Sequence, residues 1–153
     1  MKTAQTKWNF LNFQPGFVGG HCIGVDPYYL AYLAKKKKIK PNLILSGRKV
    51  NNDFPIFLAL YINNCIKKKN KILVLGITFK ENVSDLRNTK VIDLIKSLKK
   101  KGHKVYVNDP FVNKNEITKM NLNLIPLSKK DKYDTIILAV AHDNYKKLNY
   151  SFF

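Results

Sequence analysis

Arginine is almost missing from this chain: Arg48 and Arg87 are its only two. Lysine therefore supplies nearly all of the positive charge, with 28 Lys and Arg against 10 Asp and Glu, a formal +18 over 153 residues. Specific readers of nucleic acid favour arginine, whose planar fork pairs with guanine edges and phosphates, so no specific nucleic-acid partner is expected. Lysine, asparagine and isoleucine are abundant together, as A+T-rich codons give. The lysine runs 35–38, 67–69 and 99–101 each close a stretch that reads as a helix, where cations meet the negative end of the macrodipole. A general affinity for anionic ligands remains open. Cysteine is scarce too: Cys22 and Cys65 cannot make the disulfide framework of a small secreted domain. No apolar run approaches the ~18 residues of a membrane span, and no charged-then-apolar leader opens the chain. The glycine fingerprint G-x-G-x-x-G of dinucleotide sites is also missing. With 45% apolar residues the chain can bury a core. A soluble cytoplasmic protein is what these absences leave.

The pattern of what is present changes near residue 70. Residues 2–12 read as the tail of a helix. Residues 13–25 (FQPGFVGGHCIGV) hold four glycines and a proline and form a tight loop. Asp26 suits a helix cap and Pro27 a first helical position, so a helix is expected from there to the lysine run. Pro41 starts another, which Asn51, Asn52 and Asp53 interrupt. From Phe54 to Lys69 the apolar residues run nearly continuously and predict a buried helix. Residues 71–77 (KILVLGI) form a parallel-type strand, buried on both faces. An amphipathic helix over 89–101 follows, with Val91, Ile92, Ile95 and Leu98 on one face. Strands are expected at 104–108, near 122–125 and at 135–140, and a short helix around 144–148. Strand and helix alternate as in an α/β fold, giving a helical linker segment followed by a doubly wound parallel sheet. That sheet, Rossmann-like, has about four strands against the usual six and is incomplete. The expected division falls between residues 1–69 and 70–153. A helix without its start and a sheet without its edge predict a fragment.

Two loops carry chemistry. The first, GFVGGHCIGVDP, places Cys22 among glycines beside a helix N-terminus, which favours a thiolate, with Asp26 four residues on. A nucleophile and a small buried residue in a glycine turn are both consistent with that spacing. His21 is adjacent and does not face Cys22. Cys65, within an apolar helix, reads as structural. His103, His142 and Cys65 lack ligand spacing, so no metal is expected. The second loop, GITFKENVSDLRN, follows the first strand, where open α/β sheets bind ligands. Phe79 suits a ring or sugar face, and Lys80 and Arg87 suit phosphates. A solvated loop with an Asp85–Arg87 ion pair is the alternative.

Together the loops resemble the UDP-glucose/GDP-mannose dehydrogenase family, the NAD-dependent nucleotide-sugar 6-dehydrogenases. The loop with Cys22 and Asp26 is similar to that family's catalytic-cysteine motif. The FK-x4-D-x-R run (Phe79, Lys80, Asp85, Arg87) is similar to the hallmark of its UDP-binding domain. The resemblance covers essentially the whole chain. The variant PGFVGGHCIGVDPYYL is more like the branch acting on UDP-N-acetylhexosamines, which makes uronic acid sugars of capsular and O-antigen polysaccharides. It implies a four-electron oxidation of the sugar's C6 alcohol to a uronate, with NAD as acceptor. Cys22 would form a thiohemiacetal and then a thioester, and Asp26 would position the hydrolytic water. Phe79 and Lys80 would touch the UDP-sugar, and a loop with Phe13, Gly16, Phe17 and Gly19 would enclose it. Gly20 and Arg87 would lie near NAD. The full-length enzyme would be a homodimer. The family's N-terminal NAD-binding domain has no counterpart here, which implies a C-terminal fragment inactive alone. A UDP-glucose 6-dehydrogenase fragment and a non-catalytic nucleotide-sugar-binding or assembly module are the alternatives.

Overall fold

The computed structural model describes residues 2–11, 16–66, 68, 70–128 and 130–150. A short helix, α1 (Lys2–Gln5), precedes the cysteine loop, and α2 (Cys22–Lys36) and α3 (Asn42–Ile66) follow it. Next come β1 (Lys71–Leu75), α4 (Val91–Lys100), β2 (Lys104–Asn108), α5 (Lys114–Lys119), β3 (Thr135–Leu138) and α6 (Asp143–Lys146). The sheet is parallel throughout, in the order β2-β1-β3, with Leu73 opposite both Tyr106 and Ile136.

β1 is central and apolar at successive positions because both of its faces are covered. Ile72 and Val74 meet α4, which buries Val91, Leu94, Ile95 and Leu98 against them. Leu73 and Leu75 point the other way, onto Tyr145 of α6 with Tyr106, Tyr133 and Ile136 around it. The expected strand near 122–125 reduces to one parallel bridge, Val107 to Leu124. Its backbone pairs with that of β2 at Val107, where Val107 N donates to Asn123 O at 2.9 Å and Ile125 N donates to Val107 O at 2.8 Å. Among the described residues the sheet thus has three strands rather than about four.

The helical part departs from expectation in three places. The helix expected to open at Asp26-Pro27 begins at Cys22, and Pro27 lies inside it. A proline there cannot donate to the carbonyl four residues back. That carbonyl, Ile23 O, instead accepts from Arg48 Nη1 at 3.3 Å. Asn51, Asn52 and Asp53 do not interrupt α3, whose turn there is closed by the Lys49–Asp53 ion pair at i, i+4. The run after Phe54 is not a buried helix: only Pro55 and Ala59 of α3 are buried, while Phe57 is 61% and Tyr61 60% exposed. α3 packs on α2 and α4 and takes the Phe17 ring edge-on against Phe54 at 5.7 Å, while Ile56, Phe57, Leu60 and Tyr61 stay exposed.

Candidate functional site at the strand ends

The chain turns sharply as it leaves β1. Gly76 has φ +80, and a Cβ there would lie 2.5 Å from Val140 O, so only glycine fits between the ends of β1 and β3. The next residues run along a polar seam made from all three strand ends. Asp109, just past β2, accepts from Ile77 N at 2.7 Å and Thr78 N at 3.3 Å through Oδ2, and from Phe111 N at 2.8 Å through Oδ1. His142, just past β3, is fully buried, and Asn82 N donates to its Nδ1 at 2.9 Å. A ring nitrogen that accepts an N–H carries no proton of its own. Nε2 therefore holds the proton and donates it towards Asp109 Oδ2 at 3.1 Å and Thr78 Oγ1 at 3.2 Å. Thr78 in turn donates its hydroxyl to Lys80 O at 2.9 Å.

The loop beyond closes on itself. Phe79 N donates to Asp85 O at 3.0 Å. Arg87 grips the Asp85 carboxylate with Nε at 3.0 Å and Nη2 at 2.7 Å on Oδ2, and its backbone N–H adds a bond to Oδ1 at 2.8 Å. The Arg87 side chain, and then its backbone N–H, hold the Asp85 carboxyl below its ordinary value, with His21 a minor contributor. The same pairing raises the Arg87 guanidinium, and Cys22 lies close enough to add to it.

The cysteine loop docks on this surface. Gly20 N donates to Arg87 O at 2.9 Å, and Asn88 Nδ2 donates to Gly20 O at 3.0 Å. A Cβ on Gly19 would fall 2.9 Å from Phe79 Cβ, and one on Gly20 would fall 3.1 Å from the Phe79 ring. From the other side Asn51 clamps the loop, accepting from Val18 N at 3.0 Å and donating to Val18 O at 2.8 Å. The residues expected to interrupt α3 thus include the one that fixes the cysteine loop.

Five of the predicted substrate residues meet in one cleft. Gly16, Phe17, Gly19, Phe79 and Lys80 line a cavity of about 230 Å³, floored by Thr78, Thr89 and Val140. Phe13 lies outside the described residues. Cys22 and Asp26 share a face of α2 and line a neighbouring groove of about 550 Å³ with Ile23, Pro27, Leu30 and Ile44. Cys22 is exposed at the first residue of α2, which removes the reading of a small buried cysteine. Cys65 is exposed as well, rather than filling the core. Gly20 lies under the Phe79 ring, and Arg87 faces a third cavity of about 570 Å³ with Glu116, Lys119 and Met120. Arg87 makes the ion pair with Asp85 that was the alternative to a free phosphate ligand. His142, Asp109 and Asn82 were missed as members of the site, although each is polar, Asp109 directly follows β2 and His142 stands four residues past β3. Among the described residues no group of three His, Cys, Asp or Glu could hold a metal ion. No helix among them is long and apolar enough to cross a membrane.

A parallel α/β unit with its cleft beyond the strands' carboxyl ends is a nucleotide-binding type of architecture. Residues 73–152 match the model of the UDP binding domain of the UDP-glucose/GDP-mannose dehydrogenase family, and residues 1–53 match that of its central domain. The chain belongs to this family. It is 46% identical to Protein CapL of Staphylococcus aureus over 95% of its own length and 36% of that protein's. It is 42% identical to the UDP-N-acetyl-D-glucosamine 6-dehydrogenase of Salmonella typhi, over 97% of this chain and 36% of the relative. A solved UDP-N-acetyl-mannosamine dehydrogenase of S. aureus superposes with a TM-score of 0.77 at 27% identity, over 99% of this chain and 35% of that one. The chain is thus a homologue of UDP-sugar 6-dehydrogenases and spans about a third of the length of these relatives.

Proposed function

We propose that this chain is the substrate-binding and covalent-catalysis portion of a cytoplasmic, NAD-dependent UDP-N-acetylhexosamine 6-dehydrogenase serving capsule-type polysaccharide synthesis. Residues 1–69 are read as the end of its central helical region and residues 70–153 as its UDP-binding unit. The observation that carries the reading is the docking of the two loops: Gly19 and Gly20 sit against Phe79, and Gly20 N bonds Arg87 O. Cys22 therefore stands two residues from the wall of the cleft that holds Phe79 and Lys80.

In this reading Lys80 pairs with the diphosphate and Phe79, with Gly16, Phe17 and Gly19 opposite, encloses the nucleotide-sugar. Phe13 belongs to the same enclosing loop. The Cys22 thiol adds to the C6 aldehyde: Sγ bonds to carbon, and the thiol proton ends on the former carbonyl oxygen. The thiohemiacetal keeps the aldehyde bound, and once it is oxidised to the thioester, water cleaves the C–S bond and returns the thiol. Asp26, one turn along α2 on the same face, orients that water and takes its proton. NAD, when bound to the enzyme, accepts the hydrides of the two oxidations. The described residues do not form its cradle: the turn after β1 has only Gly76, and the space above that glycine is filled by Val140. Gly20 and Arg87, the residues expected near NAD, hold the loops together here. NAD is accordingly read as held by other parts of the enzyme, and the exposed apolar face of α2 and α3 as the seat of the homodimer contact.

Titration of the chain with UDP, UDP-N-acetylglucosamine and UDP-glucose by calorimetry tests this reading. Binding of the first two, weakened about tenfold or more in Lys80→Ala, is the expected result, since a charge-assisted bond to phosphate is removed. Alkylation of Cys22 should slow when UDP-N-acetylglucosamine is bound. No UDP binding, or binding indifferent to Lys80→Ala, overturns it. Preference for UDP-glucose would move the substrate to the UDP-glucose branch, and binding without protection of Cys22 would leave a non-catalytic module.

A further inference from the structure

The groups buried behind the cleft touch nothing that binds, yet they reach it. We infer that His142 is a positioning residue for UDP recognition, acting through the Asn82 backbone on the segment that carries Phe79 and Lys80; this rests on the reading of that cleft as the UDP site. The ring has two arms with separate targets. Nε2–H donates into the core, to Asp109 Oδ2 at 3.1 Å and Thr78 Oγ1 at 3.2 Å. Nδ1 accepts from Asn82 N at 2.9 Å, on the far side of Lys80. Thr78 and Asn82 bracket Phe79, Lys80 and Glu81; the Thr78 end is also held by Asp109, which accepts from Thr78 N at 3.3 Å, whereas the Asn82 N–H is held by His142.

The pin is stiff. His142 is fully buried, with the Phe111 and Tyr145 rings centred 4.8 and 5.6 Å away. Asn82 stands at φ +56, a left-handed conformation that asparagine takes more readily than other non-glycine residues. A reciprocal pair holds the residue there: Asn82 Nδ2 donates to Asp143 Oδ2 at 2.9 Å, and Asp143 N donates to Asn82 Oδ1 at 3.1 Å. Lys80 itself is exposed and borrows its order from its flanks. A loop that is already ordered costs less entropy when the ligand binds.

Two substitutions separate the arms. In His142→Asn the amide oxygen falls where Nδ1 was and still accepts from Asn82, while the core arm is lost. In His142→Gln the amide falls where Nε2 was and still donates to Asp109, while the loop arm is lost. His142→Asn gives up the buried contacts to Asp109 and Thr78, and His142→Gln the one from Asn82, so both should lose thermal stability, His142→Asn at least as much. UDP affinity, measured by calorimetry on the whole chain, should fall about tenfold in His142→Gln and change less than about threefold in His142→Asn. Amide exchange at Asn82, read by NMR without ligand, should quicken in His142→Gln alone. Equal UDP affinities in the two variants, or an unchanged Asn82 amide in His142→Gln, overturn the inference and leave the cleft standing. Failure of the parent chain to bind UDP overturns the cleft itself, and this inference with it.

Discussion

Replacing glycine by alanine should have opposite effects at Gly76 and Gly47, and the structure sets both magnitudes. At Gly76 the backbone has φ +80, and the added methyl would meet Val140 O at 2.5 Å and Val140 Cβ at 2.6 Å. The left-handed backbone alone costs an L-residue about 1–2 kcal/mol, and forcing a methyl into filled space costs about 1–3 kcal/mol more. Neither neighbour can yield cheaply, because Val140 ends the segment joining β3 to His142 and Gly76 leads straight into the Asp109 seam. Gly76→Ala should therefore lose about 2–5 kcal/mol. Gly47 lies inside α3 with nothing within 4 Å of its Cβ position. Alanine there gains helix propensity of up to about 1 kcal/mol. Urea unfolding followed by circular dichroism reads both, and a lower midpoint at constant slope marks lost stability rather than a changed unfolded state. A midpoint for Gly76→Ala within error of the parent, or a fall for both variants alike, would refute the account of why β1 ends where it does.

Removing Arg48 should uncover the proline in α2. Arg48→Ala should cost about 1 kcal/mol in the parent, because Ile23 O loses its donor. It should cost less beside Pro27→Ala, which restores a backbone N–H to that carbonyl, so a double-mutant cycle by urea unfolding should be non-additive by more than about 0.5 kcal/mol. Asp85 predicts the acid limb of stability. Its folded pKa is held below the ordinary 3.8 by Arg87, so its contribution is complete above that value and is lost as pH falls through the lower, folded one. The difference between the parent and Asp85→Asn should be constant well above the ordinary carboxylate value, shrink as pH falls through the lower, folded one, and shrink in high salt because the pair faces solvent.

Periodicity carried the sheet. Residues 71–77 and 104–108 read as strands, which form at Lys71–Leu75 and Lys104–Asn108, because all of β1 after Lys71, and alternate side chains of β2, are buried. The face of α4 was legible for the same reason, with Leu94 added to Val91, Ile95 and Leu98. α5 was missed because it has six residues and buries one, Ile117, so no stripe marks it. The strand near 122–125 was overstated because Leu122, Leu124 and Ile125 are apolar for packing, while only Leu124 bridges β2. α3 misled twice, and both times a local rule lost to a tertiary contact. Asparagine and aspartate favour turns, but Asn51 spends its side chain on Val18, and Asp53 on Lys49, so nothing competes with the helix. A continuous apolar run signals burial only when every face has a neighbour, and α3 has neighbours on part of its circumference.

The candidate site was legible where its residues lie in one run of sequence and illegible where they hold one another across the fold. Phe79, Lys80 and the glycines before Cys22 stand in two local runs whose spacing can be read along the chain. Thr78, Asp109 and His142 lie far apart in sequence, and only the parallel order β2-β1-β3 brings them together. Yet they obey a rule that sequence alone could have applied. In an open α/β sheet the residues just past each strand share one edge, so a polar residue there faces its counterparts from the other strands. Asp109 follows β2 directly, Thr78 stands three residues past β1, and His142 stands four past β3. A histidine at such a position sees an aspartate across the sheet edge before it sees solvent. Its lack of metal-ligand spacing therefore said nothing about whether it serves the site. The informative question was which backbone its second nitrogen could hold, and the answer is the loop that presents Lys80.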